Sequence, residues 1–168
     1  MKYLEGTPEE IAQFLQLMGE EPQGDVGEAA AEMPGEVAGL AGIEALVRGR
    51  ARSQEIADRV LAYLSRVRGL GVEIESGTSE RTKDGLSNYV MVRDAGKRRF
   101  GAVAYVNAIN AGLTVRLTPE DVDDLDDPRI ELRDVKSGHK YVVNCPLRDD
   151  ETIDLALQLT SRALEKVR

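Results

Sequence analysis

The 168-residue chain has no tryptophan, two phenylalanines, one histidine and one cysteine. Each scarcity excludes something. A single cysteine, Cys145, rules out a disulfide within the chain and suits a reducing compartment. One His and one Cys cannot furnish a tetrahedral zinc site. With seven aromatics in all, the core must be built from Leu, Val, Ile and Ala. No apolar run approaches the roughly 20 residues that cross a bilayer. The opening MKYLEGTPEE carries acids where a secretory signal needs an apolar stretch. The expectation is a cytoplasmic chain with no membrane partner. The glycines form neither G-x-G-x-x-G nor a P-loop, so no nucleotide cradle of the usual kind, and no cofactor, is expected.

What is present is a folded composition, 42% hydrophobic and 31% charged, in a length that fits one domain with an appendage. The net charge of −8 would by itself argue against a nucleic-acid partner. It is unevenly spread. Residues 1–44 carry ten acids against Lys2 alone, a net of −9; residues 45–119 sum to +6 and residues 120–168 to −5. Such segregation points to interaction.

The pattern divides the chain into three parts. In residues 1–18 Thr7, Pro8 and Glu10 form a helix start of the capping-box kind. Ile11, Phe14, Leu15 and Met18 then fall at i, i+3, i+4 and i+7, one apolar stripe able to dock on a partner. Residues 19–42 hold six Gly and two Pro among acids and alanines and read as a linker. Residues 43–168 are periodic throughout. Ser53 caps a helix with Ile56, Val60, Leu64 and Val67 on one face and Leu61 alongside, stopped by Gly69 and Gly71. Alternation then predicts strands at 71–75, 88–93, 99–107 and 113–117, with turns at 94–97 and 108–112. A further pair, 130–135 and 140–144, brackets a turn at Ser137–Gly138. Asp149 or Asp150 opens a last helix whose stripe is Ile153, Ala156, Leu157, Thr160, Leu164 and Val167. Leu155 and Leu159 widen that arc, as a homodimer face would.

Short connections imply antiparallel pairing. The expected fold is α+β: a meander sheet of five to six strands with two helices packed on one face, plus a tethered N-terminal helix.

The acidic run Glu120, Asp121, Asp123, Asp124, Asp126 and Asp127 lacks the ligand spacing and the Gly of a calcium loop. It is expected to open a short helix, with Val122 and Leu125 inward and the acids solvated. His139 and Cys145, six residues apart on one strand, would lie about 20 Å apart, too far for thiol activation. Asp134 and Lys136 have the acid-x-lysine spacing of some magnesium-dependent nucleases, which would need a second carboxylate from Glu73, Glu75 or Asp94. Catalysis is therefore an alternative, not the leading expectation.

The basic block is the more informative feature. Arg48, Arg50 and Arg52 precede the second helix, Arg81 and Lys83 lie in a loop, and Arg93, Lys97, Arg98 and Arg99 gather at a hairpin tip. Guanidinium clusters on loops suit phosphate contacts, and Tyr89 and Tyr105 on neighbouring strands could stack on bases. These cations are expected to come together on one outward side.

The segments "RVLAYLSRVRGLGVEIE", "NYVMVRDAGKRRFGAVAYV", "LTVRL", "DDPRIELRDVKSGHKYVV" and "DDETIDLALQLTSRALEK" resemble a bacterial domain family of uncharacterised role. That family is met under a transport-protein label or beside endonuclease-like domains. The resemblance covers about residues 55–167. It departs at 107–112, where "NAINAG" replaces a Pro- and Lys-rich loop, and after His139, where an aromatic- and Gly-containing insertion is missing. It implies proximity to nucleic acid. The leading expectation is a non-enzymatic binding module that meets nucleic acid or another polyanion through its basic hairpin, modulated by the acidic arm. A protein-protein or oligomerisation module is the further alternative.

Overall fold

A computed structural model describes residues 39–97 and 101–168. The expected N-terminal helix with Ile11, Phe14, Leu15 and Met18, most of the linker, and Arg98 and Arg99 lie outside the described residues.

Among the described residues there are three α-helices and one six-stranded antiparallel sheet, an α+β fold. Helix α1 (Leu40–Arg50) buries Ile43, Leu46 and Val47 at i, i+3 and i+4. It starts inside the stretch expected to be linker. Helix α2 (Gln54–Val67) begins where Ser53 Oγ accepts from the Ile56 N–H at 3.2 Å. Beyond a 3-10 turn, Gly71 takes the left-handed conformation (φ 74°) that a residue with a Cβ resists. The buried face of α2 is Ala57, Val60, Tyr63, Leu64 and Val67. Ile56, expected on that face, and Leu61, expected alongside it, are half-buried at its flanks.

The strands are β1 (Val72–Thr78), β2 (Leu86–Asp94), β3 (Ala102–Asn107), β4 (Gly112–Val115), β5 (Glu131–Leu132) and β6 (Val143–Asn144). Their order is β1-β2-β3-β4-β6-β5. Register places Ile74, Val92, Ala104, Val115, Val143 and Leu132 in one cross-strand row, with Ser76, Val90, Val106 and Leu113 in the next. These rows face the helices. Leu132, at the sheet edge beyond them, remains 55% exposed.

Helix α3 (Asp150–Val167) packs on β3 and β4 and on α2, while α1 packs on α2. Its start is a reciprocal cap: Asp149 Oδ1 accepts from the Thr152 N–H (2.8 Å) and Thr152 Oγ1 accepts from the Asp149 N–H (2.9 Å). Leu155 and Leu159, expected to serve a second surface, are buried in the chain's own core. Each such side chain contributes about 1.5–3 kcal/mol when fully buried, so the sheet and α2 account for the wide arc. No helix among the described residues is long and apolar enough to cross a membrane.

The last strand pair is shorter than alternation predicts. Arg133 N–H still donates to Val142 O (2.8 Å), and the turn at Ser137–Gly138 forms, with His139 N–H donating to Lys136 O (3.3 Å). Between them the chain leaves the ladder, because Tyr141 turns onto the sheet and donates its hydroxyl to Ala102 O at 2.8 Å.

Candidate functional site

The helices occupy one face of the sheet. On the other face a single row crosses all six strands: Glu75, Met91, Tyr105, Thr114, Asn144 and Glu131. Strand alternation puts Tyr89, Arg93 and Asn107 on the same side. This open face holds the guanidinium, aromatic and amide groups that the fold gathers.

Among the described residues, the sequence-derived cations do not form one cluster. Arg81 and Lys83 lie at the Leu86 end of β2, and Arg93 and Lys97 lie at or just past its Asp94 end. Nine residues of strand separate those ends by about 27 Å. Arg50 joins the first group, donating from Nη2 to Asp84 Oδ1 (2.6 Å) and Leu86 O (3.2 Å). Arg52 does so through its N–H, which donates to Ile109 O at 3.2 Å.

Several of these charges are already matched. Arg48 is held between Glu44 (2.9 Å) and Asp58 (3.2 Å), which raise its guanidinium above the ordinary value. Arg93 Nε stands 3.0 Å from Glu75 Oε2, an ion pair by distance without hydrogen-bond alignment. Lys97 Nζ donates to the Arg168 carbonyl oxygen. Arg52 and Lys83 are exposed. Among the described residues, the segment after β2 is thus tied to the C-terminal residue through Lys97.

Arginines that sequence reasoning left aside build the open face instead. The Arg116 guanidinium lies 5.9 Å from the centre of the Tyr141 ring, at the edge of cation–π range. That ring meets Tyr105 edge-on, with centroids 5.4 Å apart at 62°. Burial raises the Tyr141 hydroxyl, with Arg116 opposing it. Arg133 Nη1 donates to Tyr141 O (2.9 Å), and burial lowers its guanidinium while neighbouring Tyr89 works the other way. Tyr89 and Tyr105, expected as outward stacking surfaces, do lie on this side, half-buried. Thr114 and Arg116, opposite in phase to buried Leu113, Val115 and Leu117, were the visible sign of this face. Tyr141 and Arg133 had no such sign, since both lie outside regular strand.

Beside the aromatic group is a hollow of about 180 Å³ lined by Tyr89, Asn107, Asn110, Thr114, Arg133 and Asn144, with Pro146 at its edge. Asn107 Nδ2 donates to Tyr89 Oη at 3.3 Å, and Thr114 Oγ1 donates to Asn144 Oδ1 at 2.9 Å.

The other candidates resolve into structure. Thr118 and Asp121 close a reciprocal cap on a 3-10 turn (Pro119–Asp121), with Val122 buried and Leu125 half-buried. Glu120, Asp123, Asp124 and Asp126 are exposed, while Asp121 and Asp127 are half-buried. Arg162 grips Asp124 with two hydrogen bonds of 2.6 Å, and Lys166 reaches Asp121 at 2.6 Å. Among the described residues no group of three or more His, Cys, Asp or Glu could hold a metal ion. Cys145 is buried, its Sγ 3.7 Å from Thr152 O, and burial pushes its thiol up to about 11. His139 Nδ1 accepts from the Tyr141 N–H at 3.2 Å, so its ring serves a turn.

Asp134 and Lys136 are exposed and outside the ladder, so strand alternation does not put them on a common face. Glu73 and Glu75 are on β1, five strand spacings from β5 or about 24 Å, and Asp94 on β2 is one spacing nearer. Asp94 is moreover bound to Arg168 at 3.0 Å. The carboxylate pair that a metal-dependent hydrolase needs is not assembled there.

No family model, no curated protein and no solved structure matches this chain.

Proposed function

We propose that the chain is a cytoplasmic, non-enzymatic binding module that takes an anionic polymer, single-stranded nucleic acid foremost, on the open face of its sheet. The observation that carries the reading is the company kept by Arg116 and Arg133: the half-buried rings of Tyr89 and Tyr105, backed by the buried Tyr141, and the amides of Asn107 and Asn144 on the same side. Rings and guanidinium planes offer base-stacking surfaces, and guanidinium charge favours phosphate. The other basic residues support the reading less, because Arg48 and Arg50 on α1 and Arg93 on β2 already have carboxylate neighbours. Residues 1–38 carry nine acids against Lys2, and this arm competes with nucleic acid for the open face. Membership of the bacterial family that the quoted segments resemble is part of the same proposal.

Fluorescence anisotropy of a labelled single-stranded oligonucleotide tests it, with the full chain and with a chain lacking residues 1–38. The expected result is binding at low salt that weakens steeply as salt rises and tightens when the arm is removed. Arg116→Glu and Arg133→Glu should each weaken it more than Lys83→Glu. No binding by either form at low salt would end this reading.

A further inference from the structure

We propose that the hollow bounded by Asn107, Asn110 and Asn144 is a phosphate-recognition subsite. The inference rests on the open face being the ligand face and names the group that this part of it takes.

The orientation of the amides carries the argument. Asn107 Oδ1 accepts from the Ile109 N–H and Asn110 Oδ1 accepts from the Gly112 N–H, each at 2.9 Å. A backbone N–H can only donate, so the oxygen end of each amide is committed to its own turn and the NH2 end is directed elsewhere. Asn144 Oδ1 accepts from Thr114 Oγ1, which sets its NH2 end away from Thr114. Each of the three amide oxygens thus has a donor within the chain, and the NH2 groups of Asn110 and Asn144 stand as donors at the wall. Tyr89 Oη accepts from Asn107 Nδ2, and Arg133, which donates to Tyr141 O, brings a positive charge to the wall. No Asp or Glu among the described residues lines the hollow. A wall rich in donors and without carboxylates suits a ligand that only accepts.

Shape and size narrow the class. The donors come from the β3–β4 turn, from β6 and from the segment after β5. A tetrahedral group with four oxygens can answer donors from several sides, whereas a planar carboxylate offers two. A volume of about 180 Å³ equals roughly six waters, room for a phosphate and part of its ester substituent. Gly112 leaves room for this wall: a Cβ there would stand 3.0 Å from Asn110 Oδ1, so the amide would have to give by a few tenths of an ångström.

Inorganic phosphate, titrated into the full chain at constant ionic strength and followed by the side-chain amide resonances, tests the subsite. Saturable shifts of Asn110 and Asn144 are expected. Asn110→Asp retains the oxygen that Gly112 needs while replacing the donor with a charge, and should weaken phosphate by roughly tenfold or more. Asn144→Asp should do the same, with thermal unfolding confirming that each variant folds. Absence of any phosphate-induced shift in the wild-type chain would overturn the subsite, and acetate moving the same resonances as far would overturn its assignment to phosphate. If the oligonucleotide still binds while phosphate has no effect, only the subsite fails. If the oligonucleotide does not bind, the face reading fails with it.

Discussion

The hydroxyl oxygens of Tyr63 and Thr160 meet 2.7 Å apart in the core, joining α2 to α3. Thr160 already gives its hydrogen to Ala156 O at 2.7 Å, so Tyr63 is the donor of the pair. The two ends of this bond are therefore unequal. Tyr63→Phe removes a donor and leaves an acceptor lone pair, a loss of about 1 kcal/mol. Thr160→Val strands the Tyr63 hydroxyl in the core with no acceptor, which costs about 1–3 kcal/mol. Urea unfolding should rank the two variants in that order.

Asp94, 4% exposed at the end of β2, takes two hydrogen bonds from Arg168, from Nε at 3.1 Å and from Nη2 at 3.0 Å. Arg168→Ala leaves a carboxylate in the core without its counter-ion. The expected loss is about 2 kcal/mol, below that of a fully buried pair, because the Arg168 side chain is 48% exposed and water can enter. Asp94→Asn should be milder, since no buried charge is left behind. Chemical denaturation of both variants checks the asymmetry.

Two groups contribute to the pH dependence of stability in opposite senses. The hydrogen bonds from Arg129 hold the Asp127 carboxyl at about 2, below its ordinary 3.8. Its contribution is present above pH 3.8 and is lost as pH falls toward 2, because the unfolded chain takes up the proton first. Burial lifts the Cys145 thiol from 9.0 to about 11, so its contribution is intact below pH 9 and is lost as pH rises toward 11. Unfolding free energy measured against pH should flatten at the acid end in Asp127→Asn and at the alkaline end in Cys145→Ala.

Two glycines should answer alanine in opposite directions. At Gly77, within the β1 bulge, a Cβ would sit 2.9 Å from Ser87 Cβ, closer than packed carbons allow. Gly77→Ala should destabilise by about 1–3 kcal/mol. At Gly49, in α1, a Cβ meets nothing within 4 Å, so Gly49→Ala should stabilise by about 0.5–1 kcal/mol through helix propensity. Thermal melts of the pair would show shifts of opposite sign.

The face that carries the candidate site was half legible. Leu113, Val115 and Leu117 against Thr114 and Arg116 showed that one strand has an inner and an outer side, which is a local property of the chain. Tyr141 and Arg133 gave no such sign, because they stand where the chain leaves the ladder, and Tyr141 leaves it to bond Ala102, 39 residues away. The basic residues misled for the opposite reason. Arg93 and Lys97 are near Arg81 and Lys83 in sequence, yet the length of β2 stands between them.

By itself, the sequence determined the elements whose cause is local. Ser53 and Asp149 cap their helices through hydrogen bonds three residues long, Gly71 breaks a helix by its left-handed backbone, and alternation marks four strands. Tertiary structure alone decided the insertion of β6 between β4 and β5, and the burial of Leu155 and Leu159 within the chain's own core. It also decided which cations are matched: Arg48 by Asp58, Arg50 by Asp84, Arg162 by Asp124. Helix periods and caps are set by neighbours along the chain, but charge neutralisation and the shape of a binding face depend on which distant segments packing brings within a few ångströms.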